Sequence, residues 1–208
     1  MPAPVPTPRP ARIVDLGFPH VWEAQIISAR PLILPQLHFV YPREADEVER
    51  GALEVLVRPD AGRPSSESHP KGPPCAQQFQ ATCALGFRDP SVPTGIWSCP
   101  KPEEICAVAG GYAYIIDTTA PEHFTMLPYR PVLEVRSLPA QGLLLFVGHR
   151  SILAWGAEGE AWESEKLSDE GVTISSIEKG VLHGVGWQIV SDQETPFAVD
   201  MKNGERLA

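Results

Sequence analysis

No apolar run in the 208 residues approaches the ~18–20 that a membrane-spanning helix requires. Nor is there a cluster of Lys or Arg. Seventeen basic residues stand against 26 acidic ones, for a net charge of −9, and phosphate contacts to a nucleic acid need a basic face. Cysteine is scarce: the four, at 75, 83, 99 and 106, contain no C-x₂-C pair, so no metal centre is expected. Cys83 and Cys106 lie in apolar runs, where a reduced thiol packs as a small core residue. Cys75 and Cys99 stand beside prolines in segments that read as loops open to solvent. The opening residues MPAPVPTPRP lack the basic start and apolar middle of a secretory leader, so a cytoplasmic protein is the expectation. Signatures of catalysis are missing too. There is no G-x-S-x-G elbow, phosphate-binding G-x₄-G-K-[ST] loop, H-E-x-x-H or calcium loop, so no catalytic residue and no cofactor is assigned.

Against these absences stands a repeat. Gly110, Gly148 and Gly186 are each followed or preceded by apolar runs: ICAVAGGYAYIID (105–117), LLLFVGHRSILAWGAE (143–158), and VLHGVGW (181–187) followed by TPFAVD (195–200). The three glycines fall 38 residues apart each time, a spacing that marks stacked supersecondary units. Each unit cuts into short strands joined by tight turns such as Asn203-Gly204. The second strand of a unit is nearly all apolar, as a strand buried on both faces would be. The fourth, AWESEKLS (161–168) in the second unit, is polar like an outer edge. The third unit carries an insertion, Gln188–Glu194, in its central hairpin.

Four-stranded units of about 40 residues with an apolar second strand resemble β-propeller blades. The resemblance covers residues 94–208 and concerns strand order and period. The Gly-His and Trp-Asp dipeptides of tryptophan–aspartate repeats do not recur, so no activity is implied. The fold expected is all-β: three propeller-like four-stranded repeat units (94–130, 131–171, 172–208), plus N-terminal strands, in antiparallel sheets. Three blades cannot close a ring, so either the N-terminal half supplies a fourth, degenerate sheet, the favoured answer, or the array stays open as a curved stack or closes by oligomerising.

That half divides into a Pro-rich extended tail (1–12) and a β-rich region (13–93) with a mobile loop at 58–76. Residues 32–42 and 52–59 read as the two arms of a hairpin joined by the acidic stretch 43–51, and 78–87 as another strand. The segment HVWEAQIISA (20–29) reads as one short helix or another strand, the helix being favoured, and Pro31 stops it either way.

Two functions are consistent with this pattern. One is a non-catalytic protein-interaction module that binds a protein partner or forms a homo-oligomer, contacting neither nucleic acid nor membrane. The other is a small-molecule or carbohydrate binder, or a hydrolase, at the mouth of the repeat array. Its candidate ligand-binding residues are Trp97, Trp155 and Trp187, for stacking area, with Asp117 and Asp200, which end the third strand of their units. Asp117 and Asp200 also suit a plainer role, accepting N–H groups of the turn that follows.

Overall fold

In the computed structural model, residues 12–28, 30–43, 51–59 and 77–207 are described. The expected tail over 1–11, most of the 43–51 acidic stretch, Cys75 and nearly all of the 58–76 loop lie outside them.

The chain is all-β and forms four sheets. Sheet I consists of β2 (Trp22–Ile27), β3 (His38–Tyr41), β4 (Ala52–Pro59) and β5 (Phe79–Ala84). Sheet II takes β6 (Gly95–Ser98), β7 (Glu104–Ala109), β8 (Tyr112–Asp117) and β9 (Phe124–Met126), with β1 (Ile13–Asp15) added parallel to β6. Sheet III holds β10 (Glu134–Leu138), β11 (Leu143–Val147), β12 (Ile152–Gly156) and β13 (Gly159–Glu163). Sheet IV holds β14 (Val172–Glu178), β15 (Val181–Gln188), β16 (Gln193–Asp200) and β17 (Arg206–Leu207). In sheets III and IV, and over β6–β9, consecutive strands pair antiparallel in chain order.

The N-terminal half does make the fourth sheet, but not by the hairpin expected. Strand β4 pairs with β2 on one side and β5 on the other, and β3 lies parallel to β5 at the edge. The segment expected as a helix is β2. Its Trp22, Ala24 and Ile26 alternate onto the face packed against sheet II, a period of two that tertiary burial rewards over helix propensity.

Three apolar clusters stack the sheets in the order I–II–III–IV. Trp22, Val55, Val57 and Phe79 of sheet I meet Ile96, Ile105, Ala107, Tyr114 and Ile116 of sheet II. The opposite face of sheet II, with Trp97, Cys106, Val108 and Ile115, meets Leu144, Phe146, Leu153 and Trp155 of sheet III. Leu145, Val147, Ile152 and Trp162 then meet Leu182, Phe197, Val199 and Met201 of sheet IV. Every residue of β11 is buried, as a strand covered on both faces must be. Among the described residues no apolar cluster joins sheet IV back to sheet I, so within them the clusters run as an open series.

The repeat glycines have one job in common. A Cβ on Gly110 would lie 2.3 Å from the Phe87 carbonyl oxygen. On Gly148 it would lie 2.6 Å from the Tyr129 hydroxyl, and on Gly186 2.3 Å from the Leu167 carbonyl oxygen. Phe87, Tyr129 and Leu167 each sit on the segment that enters a sheet from the one before it. The glycine leaves the room through which that connection crosses the sheet's second strand or the turn after it. Where the first two units turn, the third continues. Gln188 pairs with Gln193, so the inserted residues lengthen the β15–β16 hairpin past Gly186.

Candidate functional site

The five residues singled out from sequence separate into three places. Trp97, 1% exposed, is inside the core between sheets II and III. Trp155 and Asp117 lie at one end of those sheets, each beside Glu104. Trp187 and Asp200 lie on the outward face of sheet IV, where Trp187 is opposite Glu194 and Asp200 opposite Val181.

The Trp155–Asp117 end is a polar cleft of two adjoining hollows, about 390 and 570 Å³. Lys101, Glu104 and Thr125 line both. Asp117, Glu122 and His123 belong to the first, Trp155 and Glu158 to the second. Glu104 is the hub. The two-residue turn Gly110–Gly111 sets the β7–β8 register, which places Glu104 directly opposite Asp117. One Glu104 carboxylate oxygen pairs with the Lys101 ammonium at 3.3 Å, and the other accepts the Trp155 indole N–H at 3.2 Å. Its carbonyl accepts the Trp22 indole N–H at 3.1 Å, so one residue ties sheets I, II and III together. Partial burial alone would lower the Lys101 pKa. The charge of Glu104 and its hydrogen bond, with Asp117 and Glu103 behind, outweigh that and hold the ammonium above its ordinary value.

Asp117 spends one oxygen on its own turn, accepting from the Thr119 N–H at 2.9 Å, the Thr119 hydroxyl at 2.7 Å and the Ala120 N–H at 3.3 Å. Asp200 does the same for Lys202 N–H at 2.9 Å. Chemically the cleft offers carboxylates, one ammonium and an aromatic edge, and the described residues lining it include no serine or cysteine nucleophile. Lys101, Glu122 and His123 were not singled out from sequence. The Glu104–Asp117 pairing was legible there, because both residues stand six places out from the Gly110–Gly111 turn.

The outward face of sheet IV is a second kind of site. Along β15, Leu182, Gly184 and Gly186 are buried toward sheet III, while Val181, His183, Val185 and Trp187 are half-buried or exposed. Pro196, Ala198 and Leu207 continue this face across β16 and β17. Ile189 and Val190 at the hairpin tip are 58% and 99% exposed. Glu178, Glu194 and Asp200 stand on the face, and the exposed Lys179 and Lys202 follow Glu178 and Asp200 at its edge.

The cysteine expectations divide. Cys83 and Cys106 are fully buried free thiols, as their apolar surroundings require. Cys99 is a correction: it too is fully buried, packed in the cluster between sheets II and III rather than facing solvent. Among the described residues no helix is long and apolar enough to cross a membrane, and no group of three or more His, Cys, Asp or Glu is placed to hold a metal ion.

No family model and no curated protein matches the chain. Among solved structures it is similar to the crystal structure of the N-terminal domain of Nup159, with a TM-score of 0.35 and 11% identity over 95% of this chain. The chain spans about half the length of that structure, 52%.

Proposed function

We propose that this chain is a non-catalytic protein-interaction module that engages its partner through an outward face of the open stack, that of sheet IV first. The observation that carries this reading is the half-covered β15. It occupies the position that in sheets II and III is sandwiched between neighbours, yet one of its faces has none. Val181, Val185, Trp187, Ala198 and Leu207 form an apolar strip there, and Ile189 and Val190 extend it at the tip. Apolar area grouped in this way, rimmed by charged residues of both signs, is the composition of a recognition surface rather than of an ordinary solvated one. The test is chemical cross-linking in the protein's native extract with the intact chain and with Val185→Asp. The reading requires adducts that the intact chain forms and the variant loses; identical adduct patterns would sink it.

A second reading belongs to the cleft at the ends of sheets II and III. Its two hollows converge on Lys101, Glu104 and Thr125, and Trp155 and Asp117 frame them, an arrangement suited to a small polar or cationic ligand such as a sugar or an amine. Calorimetric titration against a panel of monosaccharides and primary amines, repeated with Asp117→Asn, tests it. Heat absent from every titration removes this reading and leaves the first untouched.

A further inference from the structure

We propose that the free edge of β3 is a docking groove for an extended segment of another protein, which adds to sheet I as a further strand and seats one bulky apolar side chain beside it. This surface is separate from the sheet IV face and stands whether or not that face binds.

The register shows which backbone groups the edge offers. Gln80 donates its N–H to the Leu37 carbonyl at 3.0 Å, and the parallel ladder runs on from there, with His38 opposite Gln80 and Val40 opposite Thr82. In a parallel pair only alternate residues bond to the neighbouring strand. Phe39 and Tyr41 therefore give their N–H groups to β5, while His38 and Val40 turn N–H and carbonyl away from it. Strand β3 is the last of its sheet, and among the described residues nothing pairs with those four groups. Unpaired edges are ordinarily blunted by shortness or by charge. The last strands of the other sheets follow that rule: β9 has three residues, β17 has two, and β13 carries Glu160 and Glu163. Strand β3 reads HFVY, with no carboxylate, Lys or Arg.

A hollow of about 390 Å³ lies along this edge. All four residues of β3 line it, and Arg43 with Pro121 and Glu122 of the β8–β9 connection completes it. That connection is held in place without any ligand. The Tyr41 hydroxyl donates to the Pro121 carbonyl at 2.7 Å, and Arg43 donates to the Glu122 carbonyl at 2.6 Å. The His123 N–H closes the connection on the Ala120 carbonyl at 2.8 Å. A preformed hollow beside unpaired main chain is what strand addition uses: the main-chain bonds supply affinity, and the hollow selects a side chain.

The lining names the chemistry of the occupant. Arg43 and Glu122 put one charge of each sign at the hollow, so neither sign of partner is selected. Phe39, Val40, Tyr41 and Pro121 suit an aliphatic or aromatic side chain, and the segment that fits is extended and uncharged around that anchor. A second copy's β3 does not supply it. Tyr41 is 1% exposed and Phe39 packs against the cluster between sheets I and II, so neither is free to enter a neighbour's hollow.

The test titrates capped octapeptides, alternating Thr and Val around a central Ala, Leu, Phe or Trp, into the isotope-labelled intact chain and follows backbone amides by NMR. Peptides with a central Leu, Phe or Trp are expected to shift the His38 and Val40 amides and slow their hydrogen exchange, and the Ala peptide to bind about tenfold more weakly. Val40→Pro removes an edge-facing N–H without touching the β3–β5 ladder; it is expected to keep its strands by circular dichroism and to weaken binding at least about tenfold. Two further peptides, methylated on one or the other alternate set of backbone nitrogens, probe the same bonds with the protein unaltered. One set is expected to abolish binding and the other to be tolerated. The proposal is overturned by an array in which no peptide binds, by equal binding of both methylated peptides, or by amide shifts that miss β3. A dimer of the intact chain that Val40→Pro abolishes would give the edge to a second copy and overturn the foreign partner.

Discussion

The Glu104 carboxylate accepts the Trp155 indole N–H at 3.2 Å across the seam between sheets II and III. Trp155 is only 7% exposed, so the indole has no ready access to water if that acceptor goes. Glu104→Ala therefore removes the acceptor of a buried donor and frees Lys101 of its ion pair, at an expected cost of about 1–3 kcal/mol. Glu104→Gln keeps an acceptor oxygen for the indole and is expected to cost less. Urea unfolding of both variants, with Trp155→Phe to close a double-mutant cycle, checks this. A coupling near zero between positions 104 and 155 would show that the bond contributes nothing net.

Gly186 gives the sharpest test of the repeat. A methyl group there meets the Leu167 carbonyl oxygen at 2.3 Å and Ser168 Cβ at 2.9 Å, and the first is backbone that cannot rotate aside. Gly186→Ala must push the connection between sheets III and IV off β15, an overpacking expected to cost about 1–3 kcal/mol. Gly156 is the control. Its Cβ would find ordinary contacts at 3.7 Å and beyond, and its alanine variant is expected to unfold within about 0.5 kcal/mol of the parent. Equal midpoints for the two variants would mean that the shared glycine spacing has no packing meaning.

Much of the architecture was legible because burial writes itself into strand composition. The unbroken LLLFV of β11 announces cover on both faces, and the structure bears that out, whereas β15, read as a second strand buried on both faces, is covered on one only because no described sheet follows it. The glycine period marked the repeat that sheets II, III and IV follow. What was not legible depends on partners far away in the chain. β3 pairs with β5 because β4 is already flanked by β2, and the apolar alternation in Trp22–Ile27 fits a strand only once sheet II is there to receive it. Cys99 reads as a loop residue beside Pro100, yet sheet III closes over it. In the candidate site, Trp155 and Asp117 converge because β8 and β12 end on the same side of neighbouring sheets. Trp97, one residue before the end of β6, is packed between sheets II and III and does not line the cleft.

Sheet I holds a buried polar group that gives a test of a different sort. One oxygen of Glu54, itself 6% exposed, accepts from the Gln80 amide at 2.6 Å and from the Thr82 hydroxyl at 2.6 Å. The Thr82 hydroxyl also meets His38 Nε2 at 2.9 Å. Glu54→Ala strands two buried donors and is expected to cost about 2–3 kcal/mol. Adding Gln80→Leu and Thr82→Val removes the stranded groups and is expected to recover most of that loss, since a consistent apolar set replaces a broken polar one. Thermal unfolding of the single and triple variants decides it: a triple variant no more stable than Glu54→Ala refutes the account.

The three buried thiols make the stability depend on alkaline pH in a way whose sign follows from their surroundings. Burial, with the neighbouring Cys106 and Glu104 next, pushes the Cys99 thiol well above its ordinary value. Burial likewise raises Cys106, with Cys83 and Glu104 adding to it, and it raises Cys83, with Glu54 adding to that. In the unfolded chain each thiol ionises near about 8.5, whereas in the fold it stays protonated far beyond that. A folded pKa above the unfolded one means that this stability is fully present below about pH 8.5 and is lost as pH rises past it. Urea midpoints are therefore expected to fall between neutral pH and pH of about 10. The fall should shrink in the variant with Cys83, Cys99 and Cys106 all replaced by Ala, measured against that variant's own neutral midpoint. Iodoacetamide gives the independent check, because only a thiolate that solvent reaches reacts. In the native protein Cys83, Cys99 and Cys106 should resist labelling at pH 8 and react once urea has opened the sheets. Rapid native labelling at Cys99 would mean that the seam between sheets II and III opens without global unfolding, and the packing of Trp97 and Trp155 described above would then have to be wrong.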